Sequence, residues 1–593
     1  MIRAITAFVF ASLLFGPAAY LRWFAGENNI DHSSIKSDQR QFKRYGFYLQ
    51  ETAEHAGIRF IHQPPNIDAK LDHIAPQIAA MGASVAVVDF DRDGWQDFYL
   101  TNSGADSKNH LYHNQRDGTF IEVAQKVGLA DLNHAVDGAC MGSVWADVDN
   151  DGFDDVLVYK WGRPELLRNV AGKSFEAIEN PGDLPQWANL GSATWFDYDR
   201  DGLVDLFLAG YWPDDVRLGD LDHTKIMPES FEYADNGGRK WMLRNTGNFQ
   251  FEDVTESLGI TSTRWTLAVA AADFDQDGYA DLFLANDYGV SELYMNDRGK
   301  RFREVGKESG VGYSPKSGMN AAVGDVLNQG RLSIYESNIS EEGVLLQGNN
   351  LWYPSDDGSL RFENLASVMG IEQGGWSFGA QFGDLNNDAF TDLYVTNGYV
   401  SGEKGTSYWY DFSQITGGHE QIISDASNWP AMQQRSLAGY QAKRVWINDG
   451  AGRFRDVAQW VGANDRYDGR AVAVADFQNR GMLDLIVANQ RGPALLYRNH
   501  VNPSQHWIAF ELEGQASNRS AIGAQIRVFW NGQQQLQERL SASGYSAQNQ
   551  SRLHFGLGES SSVDRVEIRW PNGKTQQIVN PAIDQTHSIR EPQ

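Results

Sequence analysis

A nine-residue acidic unit recurs along this chain, and its spacing constrains the fold more than any other feature. The unit reads Asp-x-Asp-x-Asp-Gly-x-x-Asp and stands at 89 (DFDRDGWQD), 147 (DVDNDGFDD), 197 (DYDRDGLVD) and 273 (DFDQDGYAD). A fifth copy at 384 (DLNNDAFTD) carries Asn386 and Ala389 in place of Asp and Gly, and copies at 325 (DVLNQGRLS) and 476 (DFQNRGMLD) are degenerate. Successive starts lie 58, 50, 76, 52, 59 and 92 residues apart. Apolar runs such as DFYLTN and DLFLAN follow the loops, then LYHNQRDGTF or MLRNTGNFQF, then FIEVAQKVGL or FEDVTESLGI. A variant of that last element, FYLQETAEHAGI, already stands before the first loop.

A fixed period of about 50 to 60 residues, built of short strands and Gly/Asn turns, indicates radial repetition, and fifty-odd residues suffice for a four-stranded blade. The expectation is an all-β chain: a seven-bladed β-propeller over residues 45–500, with N-terminal strand material helping to close the ring. Alternation in HWIAFELEG, AQIRVFW and VDRVEIRWPNG predicts a small β-sandwich-like domain over 501–593.

So many carboxylates in one tight turn between apolar strands call for a hard cation. The expected ligands are Asp89, Asp91, Asp93 and Asp97; Asp147, Asp149, Asp151 and Asp155; Asp197, Asp199, Asp201 and Asp205; Asp273, Asp275, Asp277 and Asp281; and Asp384, Asn386, Asp388 and Asp392. The seventh residue of each loop (Trp95, Phe153, Leu203, Tyr279, Phe390) is expected to add a backbone carbonyl. Solvated turns are the competing reading, because Asp and Gly favour turns anyway, but they predict scattered Asp rather than a recurring spacing. The loops at 325 and 476 are expected to be empty, with Arg480 placed to stand in for the missing cation.

These units resemble FG-GAP (VCBS-type) repeats, which in integrin α-subunits form a seven-bladed propeller with calcium in its hairpin loops. The resemblance implies calcium, about five ions. NRSAIGAQIRVFW, SGYSAQNQSRLHFGLG and VDRVEIRWPNGKTQQI are similar to the ASPIC/UnbV domain, and the two regions in this order resemble bacterial relatives of cartilage acidic protein. Asn518, Arg519, Gly523, His554, Phe555, Gly556, Gly558, Trp570, Pro571 and Gly573 match that domain's pattern, and their Gly/Pro-rich character suggests turn geometry.

The net charge of −27 argues against a nucleic-acid partner, whose phosphates would be repelled. Arg3 and Arg22 bracket a mostly apolar stretch, so residues 1–25 read as a secretory signal or a membrane anchor, and 26–44 as a polar linker. Export to the periplasm, cell surface or exterior is the expectation, where calcium at about 10⁻⁴ to 10⁻³ M fills modest sites. The single cysteine, Cys140, rules out an intrachain disulfide and is expected to be buried.

No GxSxG, HExxH, P-loop or CxxCH motif is present, so no catalytic residue is assigned. His110 and His113 read as blade packing. Insertions at 211–241 and within 399–444 mix Tyr and Trp with charged residues, as exposed binding loops on a rigid scaffold would. Three functions stay open: a calcium-stabilised propeller binding a protein or glycan partner, an assembly subunit of an envelope complex, and an enzyme with its site at the propeller mouth. A buried, uncompensated carboxylate at that mouth would favour the enzyme.

Overall fold

The computed structural model describes residues 39–135, 137–342, 344–355, 359–418 and 420–593. The expected signal or anchor lies outside these residues, and no described helix is long and apolar enough to cross a membrane. Strands take 39% of the chain and helices 8%, so the architecture is mostly β and multi-sheet.

Seven four-stranded antiparallel meanders follow one another. The first comprises Val85–Val88, Asp97–Leu100, His110–Asn114 and Phe120–Glu122. The first strands of the other six are Gly138–Ala146, Ala188–Phe196, Thr266–Ala272, Ala322–Gly324, Ser377–Gly383 and Asp468–Ala475. The seventh sheet takes its fourth strand from the other end of the repeat: Phe47–Glu51 pairs with Leu495–Val501, Leu49 opposite Asn499. No sheet closes on itself among the described residues; the second and third are linked through Ala188–Gly162 and Asn189–Trp161.

The inner strands read as apolar runs because both faces are covered. Ala86 and Tyr99 of the first sheet share a core with Trp145 and Val156 of the second, and buried Cys140 lies in the same cluster. After the Phe120–Glu122 strand the chain makes one helical turn, Ala124–Val127, which Gly128 ends at φ 92, a left-handed cap open to glycine. The same device recurs at Gly310, Gly370 and Gly462, which explains the FxxVxxxxG element of the sequence.

The C-terminal region has two sheets. His506–Glu513 lies between Leu553–Gly558 and Thr586–Arg590, and Gln525–Trp530 lies between Gln533–Glu538 and Arg565–Arg569. Their side chains meet in one core that includes Phe510, Ile526, Trp530, Phe555 and Trp570.

Between these sheets the chain leaves its own domain. Residues 538–550 bond in or beside the first strand of every one of the seven meanders. Val85 N–H donates to Ser546 O (3.2 Å), Trp145 N–H to Gln548 Oε1 (2.9 Å), Trp195 N–H to Ser541 Oγ (3.4 Å) and Asp273 N–H to Glu538 (3.3 Å). Gly544 N–H donates to Ala321 O (2.9 Å), Gln381 Nε2 to Ser543 O (2.6 Å) and Val474 N–H to Asn549 Oδ1 (2.9 Å). The segment supplies main-chain and side-chain partners to these strands, and its Ala547–Gln548 pairs in parallel with Val85–Ala86.

Candidate functional site

Each acidic loop joins the first and second strands of its meander, so its carboxylates sit at one end of a rigid strand pair. The fourth residue of every loop is left-handed: φ 57 at Arg92, 59 at Asn150, 60 at Arg200, 62 at Gln276, 54 at Asn328, 57 at Asn387 and 52 at Asn479. That turn lets the first Asp accept from the sixth amide. Gly94 N–H lies 2.9 Å from Asp89 Oδ2, Gly152 2.7 Å from Asp147, Gly202 3.0 Å from Asp197 and Gly278 3.0 Å from Asp273. The N–H of Trp95, Phe153, Leu203, Tyr279 and Phe390 donates to the fifth-position carboxylate at 2.8 to 3.0 Å.

These constraints gather the carboxylates. Asp147, Asp149 and Asp155 bring ligand oxygens within 4.8 Å of one another, as do Asp197, Asp199 and Asp205, and Asp273, Asp275 and Asp281. At the first loop two such groups share Asp91: one with Asp89 and Asp93, the other with Asp97 and His113. His113 packs edge-on to Phe90 at 5.6 Å, and its Nε2 also stands 3.1 Å from Asp91 Oδ2, so the ring belongs to the blade packing and to the cluster together. His110 does pack, edge-on to Phe60 at 5.3 Å. Asp151 and Asp201 stand outside the triads and pair with Arg168 (2.9 Å) and Arg244 (3.0 Å), while Asp277 joins no triad.

Burial pushes Asp89, Asp147 and Asp197 up to about 7 and Asp155 to about 8. It lifts Asp97, Asp205 and Asp281 well above the carboxylate range. Oδ1 of Asp91, Asp147 and Asp273, and Oδ2 of Asp97, are buried without a hydrogen-bond partner. Converging, desolvated, orphaned oxygens fit a hard divalent cation, which would lower all these pKa values together.

The remaining loops keep the turn and differ in their ligands. At 384, Ala389 N–H donates to Asp384 Oδ2 (2.8 Å), but Asn386 Nδ2 bonds Asp388 Oδ2 (2.8 Å), and Asp384, Asp388 and Asp392 form no triad of this kind among the described residues. At 476, Arg480 Nη2 lies 3.3 Å and Arg498 Nη1 2.8 Å from the buried Asp484 carboxylate, so guanidinium groups occupy the charge position.

The Asn that ends most third strands lies outside the acidic motif but is tied to it. Asn169, Asn245, Asn296, Asn448 and Asn499 each donate a backbone N–H to the last Asp of their own loop at 2.7 to 2.9 Å, as Asn114 does. Their side-chain amides reach the preceding meander: Asn169 to Phe90 O (2.9 Å), Asn245 to Val148 O (3.1 Å), Asn448 to Val326 O (2.9 Å), and Asn114 to Phe477 O (2.8 Å). The repeated L-x-x-N was the visible signal.

The C-terminal domain sits on this loop face. Asp147 N–H donates to Ser520 Oγ (2.9 Å), Arg519 N–H to Asn150 Oδ1 (2.8 Å), and Arg569 pairs with Asp273. His554 Nε2 lies 2.9 Å from Asn387 Oδ1, and a Cβ on Gly556 would come 2.0 Å from Asp384 Oδ2. Gly523 and Gly573 do adopt turn conformations at φ 90 and 88, but Arg519, His554 and Gly556 are docking residues.

The opposite strand ends carry a different site. The two insertions pack on each other while keeping Tyr233 and Tyr410 exposed: Met227 N–H donates to Ser424 O (3.0 Å) and Thr224 Oγ1 to Asp425 Oδ1 (2.7 Å), and Ile226, Met227, Ile423 and Trp429 are buried. With Gln77, Met81 and residues at the strand ends of several meanders they line an open cavity of about 1040 Å³. Trp376 stacks on Tyr399 at 4.3 Å, Trp409 lies 5.5 Å from Trp376, and Phe231 of the first insertion meets Phe412 of the second at 5.8 Å. Tyr545 packs beneath Phe378 at 5.6 Å, so the inserted C-terminal segment reaches the cavity floor. Asp287 lines the wall, accepts from Tyr211 OH (2.7 Å), and is pushed up to about 7 by burial.

Residues 89–158, 147–208, 233–284 and 273–335 match the FG-GAP-like repeat family, and 514–593 match ASPIC and UnbV. Cartilage acidic protein 1 of Homo sapiens is 29% identical over 524 residues, covering 83% of this chain and 69% of that protein. The Xenopus tropicalis protein of the same name is 24% identical over 577 residues, covering 89% and 77%. Among solved structures, an Agrocybe aegerita lectin that recognises non-reducing terminal N-acetylglucosamine is 15% identical, with a TM-score of 0.37 over 70% of this chain and 87% of its own. An exo-type rhamnogalacturonan lyase is 12% identical, with a TM-score of 0.33 over 70% of this chain and 71% of its own. Scores at that level do not establish a common fold. The repeats and the C-terminal domain do agree with the sequence relatives across most of the chain, which is an FG-GAP and ASPIC/UnbV repeat protein related to cartilage acidic protein 1.

Proposed function

We propose that this chain is an exported, calcium-stapled, seven-bladed β-propeller that binds a protein or glycan partner through the cavity between its insertions, at the cell envelope or beyond it. The propeller is supported by adjacency. First strands of successive meanders are neighbours, Asp468–Ala475 neighbours Val85–Val88, and one C-terminal segment touches all seven. Seven blades around residues 538–550 account for both facts. Calcium is supported by oxygen-only triads at four loops; bound there, it neutralises the converging carboxylates and holds each hairpin rigid.

The single observation that carries the binding reading is the position of the aromatic cavity, walled by both insertions and by strand ends remote from the clusters. A rigid scaffold with variable loops around a concave aromatic site is the usual geometry of recognition. The test is retention of an identified partner from envelope extract on immobilised protein at saturating calcium. Trp409→Ala should abolish retention and Asp149→Asn should not. Loss with Asp149→Asn alone, at native circular dichroism, would make the cation a direct bridge and overturn the reading.

Asp287 favours a second reading, acid–base catalysis, because a carboxyl near neutrality in a cavity is suited to proton transfer. Hydrolysis of a retained glycan that is lost in Asp287→Asn, with binding kept, would select it.

A further inference from the structure

The cavity is chemically one-sided. Asp287, Glu229, Glu232 and Glu420 line it, and no Lys, Arg or His does among the described residues. Glu229 comes from the first insertion and Glu420 from the second. Glu229 is raised by burial, then by Asp235, and also by the charge of Glu420. Holding like charges from separate segments at one mouth is unfavourable until a cation joins them. The walls point the same way, since Trp and Tyr faces attract ammonium groups. Gln77 lines the cavity, is 4% exposed, and its Oε1 acceptor has no partner among the described residues. Trp376 and Trp409 line it with indole N–H groups that have no partner among the described residues, and acceptor oxygens on a ligand would satisfy them. The volume exceeds what one ammonium needs and suits a ligand with an apolar stem.

We infer that the cavity binds an organic cation: an ammonium group on an aliphatic stem whose body carries carbonyl oxygens, seated with the ammonium against Asp287 and Glu420 and the stem along the aromatic wall. A lysine side chain of a protein partner and a free amine share this chemistry. The inference rests on the cavity being the binding face.

Tryptophan fluorescence and calorimetry on the full chain at saturating calcium test it. The probes are Nα-acetyl-lysine N-methylamide, its neutral norleucine counterpart, cadaverine, and N-acetylglucosamine. Saturable binding of the lysine probe is expected, at least tenfold tighter than the norleucine probe. Asp287→Asn should weaken it about tenfold, in keeping with a charge-assisted hydrogen bond. Glu420→Gln, on a surface helix, should weaken it with no change in melting, which separates binding from folding. Cadaverine binding as tightly would assign the site to free amines, and preference for the lysine probe to a protein partner. The inference is overturned if the norleucine probe or the sugar binds as well, if Asp287→Asn changes nothing, or if no cation saturates by about 10 mM, a range of roughly −3 kcal/mol. Retention of an envelope partner without lysine-probe binding would remove this inference and leave the binding reading standing.

Discussion

Asp281 and Asp287 bracket one six-residue strand: Asp281 opens it inside the acidic cluster of the fourth meander, and Asp287 follows its last residue in the cavity wall. Roughly 20 Å of strand separates them at about 3.3 Å per residue. Burial raises both carboxyls, yet their surroundings differ. Asp281 faces Asp273 and Asp275, whereas among the described residues Asp287 has only the Tyr211 hydroxyl as a side-chain partner.

Near-isosteric changes at the two ends should therefore separate. Asp281→Asn should remove about one bound calcium and, at calcium near 100 times Kd, about 2.7 kcal/mol of linkage stability. In chelator the sign should reverse, because a buried charge is removed and the variant should melt no lower than wild type. Asp287→Asn should leave calcium stoichiometry unchanged. Calorimetry with and without chelator checks this, and equal destabilisation by Asp281→Asn in both conditions would refute the metal assignment.

The same raised carboxyls set a pH dependence. Asp89, Asp147 and Asp197 rise to about 7 and Asp155 to about 8 in the folded chain, from 3.8. Between about pH 4 and 8 the metal-free native state then binds more protons than the unfolded state, so its stability falls as pH rises through that window. Calcium-loaded protein should behave oppositely, losing ions as protons compete below about pH 7. Melting temperatures measured from pH 5 to 8 should converge at the acid end and diverge at the alkaline end. Parallel curves would argue against titrating carboxylates as the ligands.

Gln548 tests the inserted C-terminal segment. Its Oε1 accepts from Trp145 N–H (2.9 Å) and its Nε2 donates to Trp145 O (3.2 Å), all buried. Gln548→Met would leave two backbone groups unpaired, at about 1 to 3 kcal/mol each. Exposed Gln533→Ala should stay within about 0.5 kcal/mol. Urea unfolding distinguishes them, and equal midpoints would mean that the segment contributes nothing to the seven-sheet body.

What could be read from the sequence is what is local. The Asp spacing lies within nine residues, so the turn, its left-handed fourth residue and the triads all follow from one short stretch. Phe47–Glu51 was legible because it copies a repeat element, and it does pair with the seventh meander. The cavity was not legible, because Gln77, Asp287, Trp376 and Trp409 are far apart in the chain and meet only after the sheets assemble. The packing of the two insertions on each other was not legible for the same reason: which aromatic side chains meet across them and line the cavity depends on the assembled sheets. SGYSAQNQ matched a family pattern, but its residues bond in or beside the first strands of five meanders, and no periodicity within the segment encodes that. His113 packs on Phe90 as expected, but its approach to Asp91 was not legible, because an alternating strand pattern does not say which carboxylate a side chain will meet.

The degenerate loop at 476 allows a comparison inside one molecule. Asp484 occupies the position of Asp97 or Asp205 and is fully buried, but Arg498 and Arg480 approach its two oxygens at 2.8 and 3.3 Å. Burial still pushes its carboxyl up, to about 6, while the two guanidinium groups pull it down. Arginine thus does at this loop what a cation is proposed to do at the others. Removing one partner of a buried pair costs about 3 to 5 kcal/mol, because the remaining charge is left uncompensated. Arg498→Ala should therefore destabilise by that amount at any calcium concentration, and adding Asp484→Asn should restore most of the loss by removing the orphaned charge. Arg301→Ala, at an exposed pair, should shift stability by less than about 1 kcal/mol. If millimolar calcium rescues Arg498→Ala, the loop still holds a metal once its arginine is gone. If Arg498→Ala costs no more than Arg301→Ala, the ion-replacement account of this loop fails.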